Sequence, residues 1–194
     1  PSSAGAKGSK QNRGEAEAIA RLIVERYAKW QVELKNEKSE ELPSLSDMLA
    51  IITPFNGQPK VLREALYEVN TMKGSPIPAI NDPNKGLVDE IELTTIDTIH
   101  KLQGAERPIV IYSGVQTKCD SAVLFFAKEP YLLNVAVSRA KMAFIAFLCP
   151  DLYKVNDYNF LMNPNPSTDN SVEYLGWYMG QKDRASRLYP TKLA

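Results

Sequence analysis

Cysteine and histidine are scarce in this chain, with two of the first and one of the second among 194 residues. Cys119 and Cys149 stand far apart, and neither has a CxxC or CxxxH neighbour. That argues against a structural zinc site and a secreted disulfide framework, and no metal ligands are expected among the site residues. An intracellular, cytoplasmic setting is the expectation. Long apolar runs are missing too. The longest, Met142 to Cys149, falls far short of the roughly 18 residues a membrane span requires. Residues 1–10, PSSAGAKGSK, lack the apolar core of a signal peptide. Basic and acidic side chains balance at 23 each, so total charge supplies no nucleic-acid footprint. There is no GxSxG, no GxGxxG after a strand and no second histidine, which leaves a stand-alone hydrolase or flavodoxin-like enzyme without support. Nor is there a GxxxxGK[ST]. Gly5-Ala6-Lys7-Gly8-Ser9-Lys10 has the letters in the wrong order and follows no strand, so a phosphate cradle with its Mg²⁺-binding hydroxyl is absent.

What is present is an ordinary globular composition, 44% apolar and 24% charged, in a chain long enough to bury a core without staples. Charge is uneven along it. Basic and acidic groups number 8 and 6 in residues 1–40, 4 and 9 in 41–100, and 11 and 8 in 101–194, so any basic face is local. Residues 1–11 read as a flexible tail. From Arg13, apolar residues at Ala16, Ile19, Ala20, Ile23, Val24, Tyr27 and Trp30 keep helical spacing. Leu49 to Thr53, closed by Pro54, predicts a buried strand, and Asn56 to Val69 a second helix. Residues 71–90, with three prolines and two glycines, read as a surface loop. Strands are expected at Ile91–Ile96, Ile109–Tyr112 and Met142–Phe147, and a helix at Tyr131–Lys141. Alternating short apolar strands and amphipathic helices imply a three-layer α/β domain over about residues 12–150, with a mostly parallel sheet. Residues 151–194 form an Asn/Pro-rich extension with one weak aromatic helix at Val172–Met179.

Two stretches carry chemistry. In Thr95 to Glu106, Asp97 suits a helix N-cap and Gly104 a helix stop, which predicts about two helical turns between strand ends. Thr98, His100, Gly104 and Glu106 are then expected at the carboxyl edge of the sheet, where ligands of such folds bind. From these residues alone, a solvent-facing turn explains the pattern equally well. In Leu132 to Lys141, helical spacing puts Arg139 on the apolar side between Leu132, Val135 and Ala136. An arginine there needs a buried carboxylate or an opening onto a phosphate.

Taken in order, these segments resemble the second RecA-like motor domain of superfamily 1 helicases, in the branch of the nonsense-mediated-decay RNA helicase and the Dna2/Nam7-type enzymes. Asn12-Arg13-Gly14-Glu15-Ala16 is similar to the family's NxxEA start of its first helix, and Ile51 to Gln58 to its ITPYxGQ segment. Thr95 to Glu106 resembles the fifth helicase motif and Leu133 to Lys141 the sixth, LNVAxSRAK. One departure is clear: Tyr131 and Leu132 stand where the family often carries paired arginines.

The resemblance implies that Arg139 is an arginine finger and that Gly104, Glu106 and Gln103 contact or couple to the nucleotide. It implies that Thr53, Thr98 and His100 face single-stranded DNA or RNA. The cofactors implied are ATP and Mg²⁺, shared with an N-terminal RecA-like partner domain that carries the Walker A motif. A membrane role is not implied. The competing expectation is a RecA-like binding or scaffold module without catalysis.

Overall fold

A computed structural model describes residues 10–37, 39–82, 84, 86–102, 106–115 and 135–147. All of them belong to one compact unit, Pro1–Thr117 with Asn134–Leu148. The first helix, α1 (Arg13–Glu33), starts where Asn12 accepts the Glu15 amide at 3.0 Å through its side chain. Six of the seven apolar positions expected on its core face, Ala16 through Tyr27, are buried, and Trp30 packs partly buried against the same core. Full burial of Ile19 and Ile23 contributes roughly 1.5–3 kcal/mol each.

A short helix, α2 (Leu45–Met48), runs directly into strand β1 (Leu49–Thr53). Ser44 and Asp47 cap α2 reciprocally, each side chain accepting the other's amide. All five residues of β1 are buried, as expected of a strand covered on both faces. Helix α3 (Gln58–Met72) has Pro59 in its first turn, where the missing amide costs nothing. It ends at Gly74, whose φ of 81° lies in the left-handed region that stops helices.

The main sheet has the order β4-β1-β5-β6, with β4 (Thr95–Thr98), β5 (Arg107–Ser113) and β6 (Ala140–Phe147). Every pairing in it is parallel. The fold is therefore α/β with a parallel central sheet of the RecA-like kind. On one face Leu49, Ile51, Ile109 and Ile111 pack in one core with α1 and α3 residues such as Ile23 and Leu66. On the other face Ala50, Ile52, Val110 and Tyr112 are buried as well.

Several local expectations give way. Residues 79–89 are not a plain loop but an antiparallel hairpin, β2 (Ala79–Asp82) and β3 (Gly86–Asp89), turned at Gly86 with φ 77°. The strand expected at 91–96 is instead helix α4 (Glu90–Leu93) followed by β4. Asp89 caps α4, and the Arg63 guanidinium donates to the carbonyls of Ile91 and Glu92 at its end. Buried Glu90 decides the matter, because its carboxylate accepts the Tyr27 hydroxyl at 2.9 Å and the Leu45 amide at 2.7 Å. Desolvation raises the Glu90 pKa, and the two donors only partly offset it. Asp97 is a strand residue and not an N-cap, and among the described residues before β5 a single 3₁₀ turn, Ile99–Leu102, follows it. Residues 135–138 are helical, but the helix does not reach Lys141, because β6 already begins at Ala140. The tail at 1–9 and the extension at 151–194, with its weak helix, lie outside the described residues.

Candidate functional site

The carboxyl edge of the sheet is built from the ends of three neighbouring strands. Thr53 ends β1 and lies in register with Thr98 at the end of β4. Ser113 ends β5, one residue beyond the Ile52–Tyr112 pair. All three side chains are buried. Thr53 Oγ1 accepts the Phe55 amide at 3.4 Å, which turns the chain toward α3.

Beneath this edge, residues far apart in sequence interlock through hydrogen bonds. Gln58, fully buried at the start of α3, donates from Nε2 to the Asn12 carbonyl and to Ser113 Oγ, both at 3.1 Å. Its Oε1 accepts the Asn12 amide at 2.8 Å. The Ser113 hydroxyl donates to Glu15 Oε1 at 2.5 Å, and the Val115 amide reaches both Glu15 oxygens at 3.0 and 3.1 Å. Asn12 Nδ2 then donates to the Val115 carbonyl at 3.3 Å. Val115 itself has φ 66°, a left-handed conformation in which a β-branched side chain is strained. Burial pushes the Glu15 carboxyl up to about 7, against the lowering effect of its bonds to Ser113 and Val115.

The amino edge of the same sheet holds the second constellation. Arg139 lies just before β6 and Glu106 just before β5, and the Arg107 amide donates to the Arg139 carbonyl at 3.0 Å. Arg107 and Ala140 are register partners, so β5 and β6 begin side by side. Glu106 is exposed and pairs with Lys141 at 3.2 Å. The Nε of Arg139 is buried and has no hydrogen-bond partner among the described residues, and Arg139 forms no ion pair there. The residue as a whole is only partly buried.

The structure thus separates residues that the sequence grouped. Thr53 and Thr98 meet at the carboxyl edge, whereas Glu106 is at the amino edge beside Arg139, which corrects its expected position. A seven-residue strand rising about 3.3 Å per residue puts roughly 20 Å between the two edges. The parallel pairing explains the correction: β4 and β5 both run parallel to β1, so β5 begins at the amino edge and Glu106, just before it, lies there. Gln103 and Gly104 lie outside the described residues, as does the side chain of His100.

Sequence reasoning missed the Glu15 cluster. Its signal was the Asn12-x-x-Glu15 spacing, which ordinarily marks a reciprocal helix cap. Here only half of that cap forms, because Gln58 takes the Asn12 amide and leaves the Glu15 carboxylate free to reach β5. Among the described residues no group of histidine, cysteine and carboxylate side chains could hold a metal ion. No helix among them is long and apolar enough to cross a membrane.

A family model described as an AAA domain, a domain found in superfamily 1 helicases, matches residues 1–149. No curated protein matches the chain.

Proposed function

Given that the chain belongs to the AAA-domain family, we propose that it is the C-terminal motor half of an ATP-dependent superfamily 1 helicase or translocase. Its motifs favour the Upf-like and Dna2/Nam7-like branch. The observation that carries this reading is the amino edge, where Arg139, just before β6, has a buried Nε without a partner among the described residues, and Glu106 lies just before the neighbouring β5. A structural arginine in a core would have a carboxylate beside it.

In this reading ATP and Mg²⁺ bind between this domain and an N-terminal RecA-like partner domain, and the Walker A cradle belongs to that partner. The nucleotide supplies the phosphoryl group and the free energy. Arg139 stabilises the negative charge that develops on the transferring phosphoryl group. Glu106 accepts hydrogen bonds from a sugar hydroxyl, and Gly104 gives its backbone room to approach. Gln103 couples this cleft to the opposite edge. There Thr53, Thr98 and His100 shape the side facing single-stranded DNA or RNA, through contacts that do not depend on sequence.

Steady-state ATP hydrolysis by this chain alone, with Mg²⁺ and with or without single-stranded DNA or RNA, tests the reading. No turnover is expected until the Walker-A-bearing domain is added back. Polymer-stimulated turnover by the chain alone would mean that it houses a complete site. Silence that persists with the partner domain present would favour a scaffold module, to which the balanced net charge is suited.

A further inference from the structure

Strand β4 ends in Thr98, and it is the strand of the main sheet with the shortest ladder. It stands at the end of the strand order, so only β1 pairs with it, over four residues from Ala50–Thr95 to Thr53–Thr98. The outer strand on the other side, β6, is twice as long. So short a ladder needs support from outside the sheet.

That support lies just before it. Helix α4 ends at Leu93 and β4 begins at Thr95, so where α4 is held, β4 starts. The Asp89 side chain accepts the Ile91 amide at 3.0 Å, and the Glu90 carboxylate ties α4 to Tyr27 of α1 and Leu45 of α2. From α3 come Arg63 and Tyr67, four residues apart and so on one helical face. The Tyr67 hydroxyl donates to Glu92 Oε2 at 3.0 Å. Arg63 Nη1 donates to the carbonyls of Ile91 at 2.6 Å and Glu92 at 3.3 Å, and Nη2 to the carbonyl of Thr94 at 3.4 Å.

A helix leaves the carbonyls of its last turn without amide partners, and its aligned peptide dipoles gather negative charge there. A guanidinium suits such a place. Its planar fork addresses several acceptors at fixed angles, which a lysine ammonium on a flexible stem does not. Thr94 is the residue that joins α4 to β4, so the fork closes on the joint itself.

We propose that Arg63 is a positioning residue for the carboxyl edge: by clamping the joint between α4 and β4 it sets how β4 lies along β1, and with that the place of Thr98 beside Thr53. The segment that ends β1 at Thr53 continues into α3, so one stretch of chain carries the first threonine and holds the strand that carries the second. The proposal rests on the reading in which Thr53 and Thr98 face single-stranded DNA or RNA, and it adds a residue that acts through them.

A double-mutant cycle on the full chain tests it, with labelled oligo-dT and oligo-U titrated by fluorescence anisotropy at low salt. Arg63→Lys and Thr98→Val should each weaken binding roughly tenfold. The double variant should bind about as weakly as Thr98→Val alone, because a displaced Thr98 has no contact left to lose. Protected amides of β4 should exchange on the order of tenfold faster in Arg63→Lys, while those of β5 keep their rates. Losses that add in the double variant would make Arg63 an ordinary structural residue. Unchanged affinity in Arg63→Lys, or unchanged exchange in β4, would overturn the clamp. A wild-type chain that binds neither oligonucleotide, with β4 exchange still answering to Arg63→Lys, would instead overturn the polymer reading on which the role of Arg63 rests, so the two failures are distinguishable.

Discussion

The two edges of this parallel sheet are made from the same four strands and yet differ in kind. At the carboxyl edge polar groups bond to one another: buried Gln58 and Ser113 and partly buried Asn12 and Glu15 share one network with the main chain. At the amino edge the polar groups are half exposed, with a surface ion pair between Glu106 and Lys141 and a buried Arg139 nitrogen left without a partner among the described residues. A satisfied network fixes geometry, and an unsatisfied one solicits a ligand.

The largest effect should come from the amino edge. In the assembled motor, Arg139→Ala is expected to lower ATP turnover by on the order of 10³-fold while leaving polymer affinity nearly unchanged, as measured by steady-state kinetics and binding titration. An equal loss in both would dissolve the division between the edges.

The next effect belongs to the carboxyl edge and is set by pH. Glu15 has a folded pKa raised to about 7 from 4.5, so the folded state holds its proton longer than the unfolded chain does. Its contribution to stability is therefore fully present below about pH 4.5 and is lost as pH rises to 7, by up to about 3 kcal/mol. Urea unfolding across that range should show the decline, and Glu15→Gln should remove its share and leave that of Glu90, which shifts in the same direction.

Deleting partners sharpens the comparison further. Gln58→Ala leaves the Asn12 amide and Ser113 short of bonds in a buried site, and should cost about 2 kcal/mol in equilibrium unfolding. Lys141→Ala removes an ion pair of the exposed amino edge and should change stability by less than about 1 kcal/mol in the same assay. A reversed order of these two costs would show that the edges are not built differently.

Legibility in the sequence followed the range of the interactions involved. The stripe of α1, the limits of β1 and the buried core of β5 are set by local periodicity and propensity, and the structure agrees with them closely. Residues 79–93 are different. A hairpin and a short helix replaced the expected loop and strand because Glu90 bonds to Tyr27 and Leu45, and a partner 63 residues away leaves no local mark. The end of the helix before Arg139 shifted for the same reason, since Ala140 is claimed by Arg107 in β5.

The sequence by itself determined the class of fold and the absence of a GxxxxGK[ST] phosphate cradle in these 194 residues. Periodicity and motif spacing act within one element, and they suffice for that much. Only the tertiary structure decided that Glu106 belongs to the amino edge, that Thr53 and Thr98 meet at the other, and that Asn12, Glu15 and Gln58 close around Val115. Parallel strands return to one edge only after a crossover, so the neighbours of a residue at a strand end come from distant parts of the chain, and their contacts exist only once the sheet has formed.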